Sequence, residues 1–149
     1  MLCRLPGVEW TDAGDVVGLG LTLRPTPHRL GVEGRTLFTW CALDTLFFPA
    51  MLGKAARVTS PCPITGAEIR VEVTPEGVER LEPSDAVVSV VVPESAGDIR
   101  RTFCRNVHLF SAPEAASVWL SQHPGAVVLP VATAFQLGRL VARYLDESP

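Results

Sequence analysis

The sequence predicts an α+β fold of strands mixed with three short helices, and three observations carry that reading. Runs with the period-two alternation or β-branched density of strands recur through the chain, while helical periodicity is confined to three short segments. These two kinds of segment do not alternate in regular βαβ units, which argues against a doubly wound sheet or a barrel. A length of 149 residues fits one compact unit that can bury a core without metal or disulfide staples.

Val17, Leu19, Leu21 and Leu23 alternate with Gly18, Gly20 and Thr22 as in a half-buried strand, which Arg24-Pro25-Thr26-Pro27 stops. Leu30 to Val32 and Arg35 to Thr39 read as a hairpin about Glu33-Gly34, whose glycine supplies the positive φ of a tight turn. Thr39 offers a hydroxyl N-cap for a helix running toward Pro49, which places Cys41 in the first turn. Arg57 to Ser60 and Glu68 to Val73 form strands around the turn 61–66, and Pro75-Glu76-Gly77 reverses the chain again.

Ala86 to Val92 is a β-branched run suited to a central strand. Phe103 to Phe110 reads as a strand with Phe103, Val107 and Leu109 on one face and Cys104 and His108 on the other. Ser111-Ala112-Pro113-Glu114 has capping-box spacing and opens a helix through Trp119 and Leu120. Val127 to Leu129 makes a short strand, and from Thr133 onward Leu137, Leu140, Val141, Tyr144 and Leu145 recur at helical spacing in a closing amphipathic helix. Without linkers or repeats, the organisation is an N-terminal extension, 1–15, followed by a single domain, 16–149.

A formal charge of -3, with 13 Lys+Arg among 16 Asp+Glu, supplies no basic stripe and argues against a nucleic-acid partner. The longest apolar stretch, Leu37 to Leu52, contains Asp44 and Pro49 and is too short to span a bilayer comfortably. No signal-peptide pattern opens the chain, so a cytoplasmic location is expected. Cysteines at 3, 41, 62 and 104 are too irregularly spaced for a disulfide scaffold and are expected as free thiols.

Cys41 and Asp44 stand three residues apart in the most apolar part of the chain, so on a helix they share a face. Helix N-terminal N–H groups would depress the Cys41 pKa, while the apolar surroundings would raise that of Asp44, leaving a proton poised between sulfur and oxygen. Cys104 could close on the same point, giving two thiols and one acid for gripping a soft metal. Structural zinc is disfavoured by the lack of a C-x₂₋₄-C pair. A thiol hydrolase is weakly supported, since His28, His108 and His123 sit in no recognised nucleophile signature. Cys3 reads as a terminal thiol without a role and Cys62 as a turn residue with a buried sulfur.

Gly18-Leu19-Gly20-Leu21-Thr22-Leu23-Arg24, the segment Trp40-Cys41-Ala42-Leu43-Asp44-Thr45-Leu46-Phe47-Phe48-Pro49, Ala56 to Cys62 and Phe103 to Phe110 together resemble the organomercurial (alkylmercury) lyase family, its C-terminal catalytic domain in particular, from about Val16 to Leu145. The resemblance implies protonolytic cleavage of a carbon–mercury bond to a hydrocarbon and Hg²⁺. Cys41 and Cys104 look like the mercury-gripping thiols and Asp44 like the proton shuttle, with no organic cofactor. The expected partners are organomercurial small molecules, then cytosolic thiols or mercuric reductase as acceptors of Hg²⁺, with no nucleic acid and no membrane. The resemblance implies an α+β fold of two small β-sheets with short helices, built from two β-β-α-β-like units and shared with a copper-binding accessory protein of nitrous oxide reductase, so a mercury- or copper-binding module without turnover is the alternative.

Trp40, Phe48 and Phe103 are candidates for lining the organic group's pocket, each also suited to core packing, and His108 reads as a hydrogen-bonded structural histidine. Two departures from the family stand out. The N-terminal helical domain that helps cover the family's site is expected to be absent, leaving the site more open. Arg105-Asn106 follows Cys104 where relatives are expected to carry Asn-His or Cys-His, and on a strand Arg105 would point away from the metal.

Overall fold

A computed structural model of the chain describes residues 9–13, 16–19, 21–91 and 103–147. Cys3 lies outside them, and so do the side chains of Val17, Leu19, Val141, Tyr144 and Leu145. The elements run β1 (Glu9–Trp10), β2 (Val16–Leu19), β3 (Leu21–Thr22), β4 (His28–Val32), β5 (Arg35–Thr39), α1 (Ala42–Leu52), β6 (Ala56–Pro61), β7 (Glu68–Val73), β8 (Val78–Glu82) and β9 (Val87–Val90). A 3-10 turn (Cys104–Asn106), β10 (Leu109–Phe110), α2 (Pro113–Leu120), β11 (Val127–Pro130) and α3 (Val131–Glu147) complete them. The fold is α+β with two antiparallel sheets, as expected, though of unequal size: eight strands ordered β1-β2-β3-β5-β4-β6-β7-β8, and three ordered β10-β9-β11.

The hairpin about Glu33 and Gly34 forms as the sequence implies, both residues taking positive φ, 50° and 77°. The large sheet buries Leu30, Val32, Val58, Ile69, Val71 and Val73 on one face. On the other face, register aligns Arg57 with Glu72 and Glu72 with Arg80, and Arg70 with Glu82. There Arg57 pairs with Glu72 across strands, while Arg70 with Glu68 and Arg80 with Glu82 pair along their own strands, an arrangement that suits a solvated sheet face.

Several elements depart from the sequence reading for identifiable reasons. The single strand expected over Val17 to Leu23 is a tight hairpin, in which Leu19 pairs with Leu21. Thr22 is therefore buried and Leu23 exposed, because a reversal preserves the large–small alternation while exchanging the faces. β8 escaped notice because its apolar residues, Val78 and Leu81, are out of phase with period two and only half-buried at the sheet's edge.

Thr39 does not cap α1. Sheet pairing with Leu21 and His28 holds it in β5, and Cys41, extended at φ -146°, takes the N-cap position instead. Pro49 lies inside α1 rather than ending it, and Gly53, in the left-handed region, closes the helix with its N–H on the Pro49 carbonyl. Packing of α1 against α3 and the large sheet outweighs the local cost of the proline.

The expected strand over Phe103 to Phe110 is mostly absent. Cys104–Asn106 forms a 3-10 turn, and only Leu109–Phe110 pairs, with Val88 and Val87. Arg105 is consequently placed by the turn and not by strand alternation. Nor does Ser111 cap α2: Ala112 is the N-cap, because Pro113 fits the first helical position and forces its predecessor to be extended. In α3 the buried stripe is Val131, Ala134, Phe135 and Gly138, with Leu137 half-buried and Leu140 exposed, so it is offset from the expected one. Among the described residues no helix is long and apolar enough to cross a membrane.

Candidate active site

Cys41 is where β5 hands the chain to α1. Three threonines fix that junction. Thr26 Oγ1 donates to the Thr39 carbonyl at 2.6 Å, Thr39 Oγ1 donates to the Cys41 carbonyl at 2.8 Å, and Thr45 Oγ1 donates to the Ala42 carbonyl at 2.6 Å. Asp44, as the third residue of the helix, returns toward its own N-cap, where its carboxyl accepts from the Cys41 thiol and N–H.

Cys104 arrives from the other end of the core. Its turn is closed by Asn106 N–H on the Phe103 carbonyl and Val107 N–H on the Cys104 carbonyl. Ala42 N–H, one of the unsatisfied donors at the start of α1, finds the Val107 carbonyl at 3.3 Å. The two thiol-bearing segments are thus joined backbone to backbone, and one ligand atom from each of Cys41, Asp44 and Cys104 falls within 4.8 Å of the others.

The site lies in the core, with Asp44 at its partly exposed side. Cys41 is fully buried, Cys104 is nearly so, and Asp44 Oδ2 is buried without a hydrogen-bond partner. Burial is the main force on both coupled groups. It pushes the Cys41 thiol well above its ordinary range, reinforced by the Cys104 thiol and the Asp44 charge, while the Asp44 N–H pulls weakly the other way. The depressed Cys41 pKa expected from the helix N-terminus is therefore overturned: the sulfur makes no full cap hydrogen bond, and desolvation exceeds what one N–H can supply. Asp44 moves as expected, raised by burial to about 6 despite hydrogen bonds from the Cys41 thiol and N–H. A neutral thiol therefore faces a carboxyl that exchanges its proton near neutrality.

Of the aromatic candidates, Trp40 is buried in the core, Phe48 sets its ring edge-on to Phe47 at 4.9 Å, and Phe103 packs half-buried just before the Cys104 turn. Cys62 follows β6 with a buried sulfur, as expected, and stands apart from the three-residue cluster. Burial raises its pKa, but the Thr65 hydroxyl and the N–H groups of Thr65, Ser111 and Ile64 together bring it down to about 7. His108 is held below its ordinary value chiefly by burial, against a raising contact with the Arg105 backbone. The surface depressions over Arg57 and Glu72 on the outer sheet face touch none of the three site residues.

Sequence reasoning missed Ser89. It stands in β9 among Val87, Val88 and Val90, all buried, and its hydroxyl accepts from His108 N–H and donates to the Asn106 carbonyl, each at 2.9 Å. The lone polar letter in a valine run was the available signal.

Two buried thiols and a largely buried carboxyl with one unpartnered oxygen form, on an α+β scaffold, a donor set of the kind that suits a soft metal ion. The chain belongs to the alkylmercury lyase family, whose family model matches residues 21–143. It is 53% identical over 150 residues to an alkylmercury lyase of Staphylococcus epidermidis, covering 100% of this chain and 69% of that protein. Identity to the Bacillus cereus alkylmercury lyase is 53% over 148 residues, covering 99% of this chain and 68% of the relative. A crystal structure of the mercury-bound form of MerB2 superposes with a TM-score of 0.84 at 29% identity, covering 94% of this chain and 69% of that one. The chain thus spans about two thirds of the length of these relatives.

Proposed function

We propose that this chain cleaves the carbon–mercury bond of organomercurials by protonolysis, with Cys41 and Cys104 as mercury ligands and Asp44 as the proton carrier. The observation that carries the reading is the convergence of the three ligand atoms within 4.8 Å, with Asp44 Oδ2 buried and unpartnered. The carboxylate takes the proton from an entering thiol, so that sulfur binds mercury as thiolate and the displaced ligand leaves. The second thiol gives its proton to the displaced ligand and adds to mercury as thiolate, and sulfur donation increases the negative charge on the attached carbon. Asp44 then delivers its proton to that carbon, the carbon–mercury bond breaks, and the hydrocarbon departs while Hg²⁺ stays on the two sulfurs.

Burial suits both halves of this cycle. An ionised Asp44 in an apolar site is a stronger base than one in water, and its protonated form is not so stable that the proton is lost to the reaction. So written, the reaction uses no organic cofactor. Small thiols or mercuric reductase would remove Hg²⁺ by thiolate exchange in the cytoplasm.

Incubation with phenylmercury and excess thiol tests the proposal. Benzene release at one equivalent per phenylmercury consumed is expected. Mercury retained on the protein without benzene would replace cleavage with the alternative, a mercury- or copper-binding module.

A further inference from the structure

We propose that Ser89 is the positioning residue that sets Cys104 at working distance from Cys41. The inference rests on the proposed cleavage reaction and adds to it a residue that touches neither mercury nor carbon.

β9 is the central strand of the small sheet, between β10 and β11, and it is buried along its whole length. A hydroxyl there is costly unless its hydrogen bonds are made. Both are made to one place. The ladder between β9 and β10 runs through Val88–Leu109 and stops, and Ser89 continues it into the segment that leaves for the Cys104 turn. Its N–H donates to the His108 carbonyl at 3.0 Å, and its Oγ accepts from His108 N–H and donates to the Asn106 carbonyl. Three bonds from one residue thereby hold the outgoing limb of the turn, and two of them need the hydroxyl.

Between those anchor points lies Val107, whose carbonyl receives Ala42 N–H, next to Cys41. The spacing of the two sulfurs is therefore fixed through a short path: Ser89 to Asn106 and His108, across Val107 to Ala42, and so to Cys41. Removing the hydroxyl orphans the Asn106 carbonyl and His108 N–H, which lets the turn shift without touching Cys41 or Asp44.

The kinetic signature follows from the order of steps. One thiol can still capture the organomercurial, so KM should hold within about threefold, whereas cleavage needs the second sulfur in place. A displacement near 1 Å is enough to cost about a hundredfold, so kcat of Ser89→Ala should fall roughly thirty- to a hundredfold. Retention of Hg²⁺ against competing glutathione should fall about tenfold, corresponding to the loss of a well-placed second ligand.

Val88→Ala removes buried methyl groups from the same strand and serves as the control. It should lose stability yet keep kcat and mercury retention within about twofold of the unaltered chain. If Ser89→Ala matches Val88→Ala in both kcat and retention, Ser89 is a satisfied core hydroxyl and the proposal is overturned. Cys104→Ser, measured alongside, separates the two levels: wild-type cleavage in that variant would overturn the cleavage site itself, and Ser89's role with it. Should the alanine chain fail to fold, hydrogen exchange on the unaltered protein decides. The His108 amide should be protected like those of Val88 and Val90, and exchange at open-loop rates would show that the clamp is not made.

Discussion

Just beyond the C-terminal end of α1, Lys54 meets Glu33 at 2.5 Å, with both side chains about half exposed or more. At the N-terminal end, three residues into the helix, Asp44 has a buried oxygen with no partner at all. The lysine holds the Glu33 carboxyl below the usual range, whereas burial lifts Asp44 to about 6. Water decides the difference. It screens the outer pair until little energy remains in it, and its exclusion makes the inner carboxyl costly and reactive. Glu33 is an ordinary solvated surface carboxyl. Asp44 has the environment of a proton carrier.

The largest test of that contrast is removal of the inner acid. Asp44→Asn is expected to retain Hg²⁺ while losing about 10²- to 10⁴-fold in benzene release, measured by gas chromatography, since general acid catalysis typically supplies that factor. Cys41→Ser and Cys104→Ser should lose both retention and cleavage. Equal activity in the three variants would end the assignment.

Stability against pH sharpens the same point. The folded pKa of Asp44 lies above its unfolded value, so its contribution is present in acid and is lost as pH rises from about 4 through about 6, by about 3 kcal/mol. His28 is buried, bonded through Nδ1 to Ser60 at 2.7 Å, and lowered to about 4 by burial first and the nearby His108 second. Its contribution is present above pH 6.5 and is lost as pH falls toward 4, also by about 3 kcal/mol. The two slopes oppose each other within one window. Urea unfolding of Asp44→Asn should uncover the histidine slope, with stability falling steeply between pH 6.5 and 4, while His28→Asn should show the reverse slope.

Thr39→Val addresses how the inner end is held. It leaves the Cys41 carbonyl without its side-chain donor, and a loss of about 1–3 kcal/mol in chemical denaturation is expected. At the outer end Lys54→Met should leave the urea midpoint unchanged. A substantial shift there would break the comparison, because it would show the exposed pair to be more than a solvated contact.

The hairpin at Glu33-Gly34, the strands around the turn 61–66, the β-branched central strand and the amphipathic last helix were legible because each is written in local pattern. So was the Cys41–Asp44 pair, since i and i+3 share a face whether Cys41 sits in the first turn or at the N-cap. Other features failed locally. Thr39 was claimed by pairing with two strands, the Phe103–Phe110 segment coiled where alternation suggested extension, and the thiol's acidity reversed once burial outweighed the helix end.

Residue identity alone determined the chemical kit: free thiols, one acid within reach of one of them, and too little basic charge for a nucleic-acid partner. Where the second thiol lies was decided by tertiary structure. Cys104 reaches Cys41 through Ser89 on a buried strand and the Ala42 to Val107 bond, contacts between residues far apart in the chain that no periodicity records. Desolvation was decided there too, because the burial that sets the acidity of Asp44 and Cys41 belongs to what packs around them and not to the residues themselves.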